Sequence, residues 1–188
     1  MLAGDDYNAR DPELLAIARR ARQLVGELNS RPAATPDERR PLLEQLLGGA
    51  GEGIWIESPF FCDYGVNVHL GARTFINMNC VFLDSAEVRI GEDALIGPNV
   101  QLYTVFHPLR AADRLVSPWT PRSNRARYRT QAKPIQIGSG VWVGGGTIVM
   151  PGVTIGDNVT IGAGSIVTQD IPSSVLAWGQ PCRVRREL

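Results

Sequence analysis

Residues 137–172 read IGSGVWVGGGTIVMPGVTIGDNVTIGAGSIVTQDIP, a stretch in which an aliphatic residue recurs at every sixth position. The residues with this spacing are Ile137, Val143, Val149, Ile155, Ile161 and Val167. A period of six fits neither a helix nor a hairpin meander, and it is typical of a solenoid with triangular coils of about 18 residues. Each short strand sends one aliphatic side chain inward, while the corners favour Gly, Asn and Asp. The stretch therefore predicts the last coils of a β-solenoid over residues 134–172.

The same spacing continues upstream of this stretch. It is found in two series, Leu70 with Ile76, and Ile90 with Ile96 and Leu102. A slip of two residues separates the two series, between Phe82 and Ile90. Stacked coils bury aliphatic columns that a single coil leaves exposed. We therefore predict that residues 53–102 form the first part of the same solenoid.

Residues 1–52 have a different pattern, which predicts helices. Apolar residues recur at helical spacing after Asp11 and Pro12, which supply a cap and a first-turn proline. Thr35 and Glu38 have the spacing of a capping box, which predicts the start of a second helix. We predict that this helical segment packs on the solenoid.

Residues 103–133 break the period and are rich in Pro and Arg, so we predict a long loop extruded from the solenoid. Its portion 109–133 contains six Arg, one Lys and one Asp, a net charge of +6 that the rest of the chain balances with −6. Residues 173–188 are predicted to form a C-terminal tail.

The composition excludes several classes of protein. A chain of 188 residues and 20.5 kDa favours one domain, or one domain with an appendage. The 19 basic and 19 acidic residues cancel, which argues against nucleic-acid binding by bulk charge. No apolar run approaches the roughly 20 residues of a membrane-spanning helix, and the N-terminus lacks the features of a signal peptide. The three cysteines form no CxxC pair, so we expect a reduced, cytoplasmic protein without a structural zinc site.

The amino-acid sequences of several segments resemble those of a known family. The segments are the hexapeptides of 137–172, ARQLVGELN at 21–29, CDYGVNVHLG at 62–71, INMNCVFLD at 76–84, the His-Pro at 107–108 and GQPCRVRREL at 179–188. The hexapeptides resemble the hexapeptide-repeat acyltransferases, and the other segments resemble the maltose and galactoside O-acetyltransferases among them. The resemblance covers nearly the whole chain except the loop at 109–133.

The resemblance implies a fold and an activity. The fold implied is a mainly β structure, a left-handed parallel β-helix, assembled as a homotrimer with active sites between subunits. The activity implied is direct transfer of acetyl from acetyl-CoA to a hydroxyl of a sugar or sugar-like small molecule, with no metal required.

The resemblance also assigns roles to residues at the reacting centre. His107 matches the catalytic histidine, and imidazole is suited to removing a proton from a weakly acidic hydroxyl. The backbone N–H of Gly145 matches the donor that stabilises the tetrahedral oxyanion. His69, the only other histidine, is expected to face outward from a coil.

Further positions match the binding of the two substrates. On the acceptor side Asp63 and Asn77 match, and Ser85 with the adjoining Asp84 is a further candidate at a position that is acidic in the galactoside enzymes. Those on the acetyl-CoA side are Trp142, Gly145, Ala163, Thr168, Arg183 and Arg186, where the guanidinium groups suit phosphate. Three positions depart from the family: Ser85 and Ala9 stand where galactoside enzymes have acidic residues, and Gln169 where the family often has Lys.

Other interpretations remain open at this point. The acceptor could be an amine, a drug or a secondary metabolite, or the chain could be a trimeric scaffold without catalysis. A metal-dependent lyase of the γ-carbonic anhydrase type uses three histidines, and this chain has two that are far apart. The Arg-rich loop could be a solvated lid, could select an anionic or bulky acceptor, or could screen the phosphates of coenzyme A.

Overall fold

The computed structural model describes residues 1–2 and 4–188. Two helices, α1 (Pro12–Ser30) and α2 (Pro36–Leu46), precede the strands, and a short helix α3 (Ala111–Arg114) lies within the extruded loop. The strands are β1 (Gly49–Ala50), β2 (Trp55–Ile56), β3 (Phe60–Cys62), β4 (Val68–Leu70), β5 (Phe75–Ile76), β6 (Cys80–Leu83), β7 (Val88–Ile90), β8 (Leu95–Ile96), β9 (Gln101–Tyr103), β10 (Val105–Phe106), β11 (Gln131–Ala132), β12 (Ile135–Ile137), β13 (Trp142–Val143), β14 (Ile148–Val149), β15 (Thr154–Ile155), β16 (Thr160–Ile161), β17 (Ile166–Val167), β18 (Val175–Gly179) and β19 (Cys182–Glu187).

Most strands belong to three parallel sheets that form the faces of a triangular solenoid. The first sheet has the order β1-β4-β7-β12-β15, and the third sheet has the order β17-β14-β9-β6-β3. The second sheet has the order β19-β18-β16-β13-β8-β5-β2, in which only β19 is antiparallel to its neighbour. The chain visits the three faces in turn, so each coil adds one strand to each sheet.

The coils have two lengths, which explains the slip in the sequence period. Aligned residues are eighteen positions apart in the C-terminal coils, as predicted, but twenty apart in the N-terminal coils, as for His69 and Arg89. The two extra residues of each N-terminal coil lie at the corner where the chain passes from the third sheet to the first. Inward residues across this corner are eight positions apart at Phe82 and Ile90, against six at Val149 and Ile155.

The core is the stack of inward aliphatic side chains predicted by the six-residue period. Ile76, Ile96 and Val143 are fully buried in one column of the second sheet. The wider N-terminal coils place Phe60 and Phe82 edge to face, with ring centroids 5.2 Å apart. Burying such columns is the main source of stability of a solenoid, because no coil has a core of its own.

The N-terminal helices cover the wide end of the solenoid. The Asp11 carboxylate caps α1 by accepting the N–H of Glu13 at 2.9 Å, and Glu38 accepts the N–H of Thr35 at 2.7 Å. The side chain of Asn29 joins α1 to β3 through two hydrogen bonds with the backbone of Phe60, each 2.9 Å long. None of the helices in the described part of the chain has the length and apolar character needed to cross a membrane.

The two segments outside the repeat are more regular than the sequence indicates. The extruded loop begins and ends as a hairpin, in which β10 pairs antiparallel with β11. Instead of a tail, residues 173–188 add the strand β18 to the second sheet and turn back as β19. The strand character of β19 is not visible in the sequence, because all five of its residues after Cys182 are exposed and four of them are charged.

Candidate active site

The corner from the third sheet to the first carries an insertion in three successive coils. The first two insertions are residue pairs, at Asp63–Tyr64 and at Asp84–Ser85, and the third is the whole loop 103–133. Since aligned corners of a solenoid stack on one another, these insertions lie together along one edge. The two-residue slip in the sequence therefore marks the edge on which the predicted histidine and acidic residues meet.

His107 follows β10 on this edge, and its side chain is exposed. Its Nδ1 atom lies 2.7 Å from the carbonyl oxygen of Arg129, which precedes β11 in the same hairpin. A carbonyl oxygen only accepts hydrogen bonds, so the neutral imidazole donates from Nδ1 and keeps an unprotonated Nε2. The hairpin thereby orients the ring and selects its tautomer.

A cleft of about 290 Å³ adjoins His107 and contains other predicted residues. Asp63 and Ser85 line it together with His107. Residues that the sequence did not single out also line it, among them Tyr7, Leu14, Arg22, Tyr64 and Thr130. The cleft therefore lies between the solenoid edge, the loop and the N-terminal segment, and all three contribute residues to its walls.

The polar groups of the cleft are held by its own walls. The Tyr7 hydroxyl donates to Oγ of Ser85 at 2.9 Å, and the Tyr7 N–H donates to the carbonyl of Thr130 at 3.1 Å. Burial raises the pKa of the Asp63 carboxyl, and the positive charge of Arg22 opposes this shift. Asp63 is thus a partly desolvated carboxylate that can accept hydrogen bonds from a bound molecule.

Asp84 has a different position from the one that an acceptor contact requires. Its side chain is completely buried, and its Oδ1 accepts the N–H groups of Asp63 and Tyr64, each at 2.9 Å. Its Oδ2 has no partner among the described residues. Burial, with a smaller contribution from the nearby charge of Asp63, raises the pKa of the Asp84 carboxyl to about 6, although the N–H groups that Oδ1 accepts oppose this shift. We therefore revise the predicted role: Asp84 holds the turn that presents Asp63 instead of lining the cleft.

Asn77 lies on another edge of the solenoid, at the corner from the second sheet to the third. Its Oδ1 accepts the N–H of Met78 at 2.8 Å, which is a local turn contact. The structure does not bring Asn77 to the His107 cleft of the same chain.

Gly145 and Ala163 also lie at the corner from the second sheet to the third, in the C-terminal coils. They occupy equivalent positions in adjacent coils, and the Gly145 carbonyl accepts the N–H of Gly164 at 2.9 Å. A Cβ atom at Gly145 would lie 3.0 Å from the carbonyl oxygen of Pro98, so glycine permits this tight stacking. The Gly145 N–H forms no hydrogen bond within the described residues, a property shared by equivalent corner residues such as Ala72.

The remaining predicted residues on the acetyl-CoA side are spread over the C-terminal coils. Trp142 projects from the outer surface of the second sheet and is 52% exposed. Arg183 and Arg186 are exposed on β19 of the same sheet. Thr168 is exposed at the corner after β17, away from the edge of Gly145. The chain thus carries His107 on one edge and Gly145, the predicted oxyanion donor, on another.

The two histidines lie apart. His69 faces outward on β4, and its Nε2 is 4.0 Å from a carboxylate oxygen of Glu87. Over residues 1–2 and 4–188, no group of three or more His, Cys, Asp or Glu side chains is arranged to hold a metal ion.

Comparisons with known proteins match the whole chain. Residues 1–51 match the maltose acetyltransferase hexapeptide capping motif, and residues 134–169 match the bacterial transferase hexapeptide motif of six repeats. The galactoside O-acetyltransferase of Escherichia coli (strain K12) is 40% identical over 169 residues, which cover 90% of this chain and 78% of that protein.

Two solved structures are similar over the full length of the chain. A maltose O-acetyltransferase from Clostridium difficile 630 is 40% identical, with a TM-score of 0.91 over 100% of this chain and 94% of that one. A hexapeptide-repeat acetyltransferase from Vibrio cholerae, solved in complex with acetyl-coenzyme A, is 37% identical, with a TM-score of 0.87 over 100% of this chain and 96% of that one.

Proposed function

The chain belongs to the hexapeptide-repeat acetyltransferases of the maltose and galactoside O-acetyltransferase family, and on that premise we propose that it acetylates a hydroxyl of a sugar with His107 as general base. It has the left-handed parallel β-helix of this family, and it is an acetyltransferase that uses acetyl-CoA as cosubstrate. The sugar acceptor, the role of His107 and direct transfer are the parts that we propose.

The position of His107 carries the proposal. The hydrogen bond from Nδ1 to the Arg129 carbonyl leaves Nε2 free to accept a proton, and the ring adjoins the cleft that contains Asp63. A sugar hydroxyl is a weak acid, so its attack on a thioester requires a base that removes the proton during bond formation. Asp63 supplies directional acceptors that can orient another hydroxyl of the same sugar.

The proposed reaction is a single displacement through a tetrahedral intermediate. The acceptor oxygen attacks the thioester carbonyl carbon while its proton passes to Nε2 of His107. The N–H of Gly145 stabilises the oxyanion, and collapse of the intermediate breaks the carbon–sulfur bond. The proton then passes from His107 to the departing thiolate, which leaves an acetylated sugar and free coenzyme A.

The state of Cys62 supports direct transfer to the acceptor. Burial raises the pKa of the Cys62 thiol, and the nearby charges of Asp84 and Asp63 raise it further. A thiol under these conditions stays protonated and is a poor nucleophile. Cys62, Cys80 and Cys182 are all free thiols, which fits the cytoplasmic location that we propose.

The separation of His107 from Gly145 supports an active site shared between subunits of a homotrimer. Outward residues of the second and third sheets are mostly apolar, and we name these two surfaces the apolar faces. They include Trp55, Phe75, Leu95 and Trp142 on the second sheet and Phe61, Val81, Ile148 and Ile166 on the third. Outward residues of the first sheet are polar, among them His69, Arg89, Gln136 and Thr154.

Two apolar faces on each subunit fit a closed ring in which each copy contacts two others. Such contacts place the edge with His107 and Asp63 of one copy near the C-terminal coils of its neighbour. The exposed residues of those coils, Trp142, Ala163, Thr168, Arg183 and Arg186, would then bind acetyl-CoA. Asn77 of a neighbouring copy would reach the acceptor by the same arrangement.

The test is turnover of acetyl-CoA, measured as release of free thiol, with a panel of sugars, amines and hydroxylated metabolites. We expect release that depends on a sugar, and a loss of about 10²- to 10⁴-fold in His107→Ala. His69→Ala is the matched control and should keep wild-type turnover, because it replaces the other histidine on an outward surface. Release with amines alone would replace sugar by amine as acceptor, and equal activity in both variants would refute the role of His107.

A further inference from the structure

The N-terminal segment borders three open clefts that lie side by side. The cleft with His107 shares Tyr7 with a second cleft, of about 240 Å³, beside the loop. It shares Leu15 with a third cleft, of about 560 Å³, beside α1. Asn8 lines both the second and the third cleft. The three clefts are therefore adjacent, each sharing a wall residue with the other two, and together they line one grooved surface beside His107.

Positive charge dominates this groove, which we name the basic groove. The arginines that line it are Arg10, Arg19, Arg22, Arg125 and Arg129, and the carboxylates are Asp6 and Asp63. Guanidinium groups pair with carboxylate, sulfate or phosphate oxygens through parallel hydrogen bonds. An excess of arginines along a concave surface raises the local concentration of anions.

Two of the five arginines interact with the two carboxylates of the groove. Arg129 forms an ion pair of 3.2 Å with Asp6, and the charge of Arg22 acts on Asp63. The other three, Arg10, Arg19 and Arg125, form no ion pair with any described residue. They leave the basic groove with an excess of three positive charges.

Contacts between the loop and the N-terminus hold the Arg10 guanidinium and the backbone on both sides of Arg125. The Arg10 guanidinium donates to the carbonyl of Ser123 at 3.1 Å, and the Asn8 amide donates to the carbonyl of Asn124 at 2.9 Å. Oδ1 of Asn8 also accepts the N–H of Ala126 at 2.9 Å. These bonds fix the loop stretch that carries Arg125, so the groove is a built surface and not a free chain with scattered charges.

We propose that the natural acceptor is an anionic sugar, whose acidic group binds in the basic groove while the acetylated hydroxyl lies at His107. The proposal rests on the proposed function, because it names the class of acceptor for the same site. An acidic oligosaccharide fits this arrangement, since one sugar unit can lie in the His107 cleft while the next reaches the arginines. Asp63 is the only carboxylate among the described residues of the His107 cleft, so the path to the groove is open to an anion.

The test compares two disaccharides that differ only in charge, one ending in a uronic acid and the other in its methyl ester. The measured quantity is kcat/KM from thiol release at saturating acetyl-CoA. We expect the acid to be preferred about tenfold at low salt, with the preference shrinking at 0.5 M salt because salt screens partly exposed charges. A disaccharide with a sulfate ester on the distal sugar should behave like the acid.

The variant that isolates the groove is Arg19→Gln with Arg125→Gln, whose side chains form no described hydrogen bond or ion pair. We expect the ratio of kcat/KM for the acid to that for the ester to fall below about threefold, as two charged contacts are lost. Arg20→Gln with Arg122→Gln is the matched control, because it removes the same charge from α1 and the loop outside the groove. This control should keep the preference of the wild type.

Two outcomes would overturn the proposal. One is an equal use of acid and ester by the wild type, and the other is a groove variant that raises KM for acetyl-CoA while the preference for the acid persists. The second outcome would assign the arginines to the phosphates of coenzyme A.

Calorimetric binding of the acid disaccharide without acetyl-CoA separates this proposal from the proposed function. Binding that depends on Arg19 and Arg125 without acetylation of any sugar would support the groove and refute the proposed function. Acetylation of the ester without any preference for the acid, in binding or turnover, would refute the groove and leave the proposed function standing.

Discussion

The Nδ1 atom of His107 donates a hydrogen bond of 2.7 Å to the carbonyl oxygen of Arg129, across the hairpin at the base of the extruded loop. The acceptor belongs to the backbone, so the bond depends on the pairing of β10 with β11 and not on the arginine side chain. Because Nδ1 carries the proton, the basic lone pair of the neutral ring is at Nε2.

This bond predicts the tautomer of His107 in solution. With ¹⁵N-labelled histidine, the spectrum of the neutral ring should show a protonated Nδ1 and an unprotonated Nε2 for His107. The chain has only two histidines, so the spectrum of His69→Ala assigns the signals directly. A protonated Nε2 on His107 in the neutral ring would contradict the bond and, with it, the proposed direction of proton transfer.

The buried carboxyl of Asp84 predicts a dependence of stability on pH. Its pKa is raised from 3.8 to about 6 by burial, so between these values the folded state holds a proton that the unfolded state has lost. The free energy of unfolding should therefore fall as the pH rises from about 4 to about 6, by about 3 kcal/mol from this group.

Asp84→Asn is the variant that measures this contribution, because its amide does not titrate and its Oδ1 can still accept both N–H groups. Its free energy of unfolding is measured with urea at pH 4, 5, 6 and 7, at one protein concentration. As the pH rises, the variant should become increasingly stable relative to the wild type. Parallel pH dependences of the two proteins would show that Asp84 is ionised throughout.

The turn held by Asp84 predicts an effect on the acceptor and not on acetyl-CoA. Asp84→Ala removes the acceptor of the Asp63 and Tyr64 N–H groups and should let Asp63 move. We expect KM for the sugar to rise about tenfold, with KM for acetyl-CoA within about twofold, as for the loss of one or two hydrogen bonds. Asp84→Asn should restore most of the sugar KM, which separates positioning of Asp63 from a general loss of stability.

The regular part of the fold could be predicted from the sequence, and the site could be predicted only in part. The six-residue spacing of Ile137, Val143 and Val149 is a local signal that repeats, so it identifies the strands and their inward residues. The two-residue slip near Asp84 is also visible in the sequence. The sequence does not show that the slip and the loop lie on one edge, because this follows only from the stacking of the coils.

The contributions of the N-terminal segment could not be predicted from local pattern. Tyr7 reaches Ser85 and Thr130 through contacts that span most of the chain, and no periodicity in residues 1–11 signals them. The burial of Asp84 was also not predictable, because an aspartate at a corner more often caps its own turn at the surface.

A buried arginine outside the site predicts a large effect on stability. Arg39 is 1% exposed, and its guanidinium donates to the carbonyls of Ile56 at 2.7 Å and Pro32 at 3.0 Å. Arg39→Leu leaves these carbonyls without a donor, and we expect a loss of about 2–4 kcal/mol in the free energy of unfolding.

Arg40→Leu is the matched control, since Arg40 is an exposed neighbour on α2 paired with Glu44 at 2.7 Å. Its effect should stay within about 0.5 kcal/mol, because exposed ion pairs contribute little. Urea unfolding of both variants measures the contrast, and equal losses would show that the buried bonds of Arg39 are not stabilising.

The apolar faces predict how the subunits assemble. The mass from sedimentation should be about three times the 20.5 kDa of one chain, as expected for a closed ring of three copies. Leu95→Lys introduces a charge on the second sheet at a residue that is 44% exposed in one subunit. Burying an unpaired charge in a contact costs several kcal/mol, so this variant should dissociate or weaken the trimer in sedimentation velocity.

Gln136→Lys introduces a lysine on the polar first sheet, where the outward residues face solvent, and it should leave the trimer intact. Loss of turnover should accompany dissociation in Leu95→Lys, because His107 and Gly145 lie on different edges of one subunit and the proposed reaction needs both. A monomeric Leu95→Lys variant with full turnover would show that one subunit contains a complete site, and a Gln136→Lys variant that dissociates would place the contact on the first sheet.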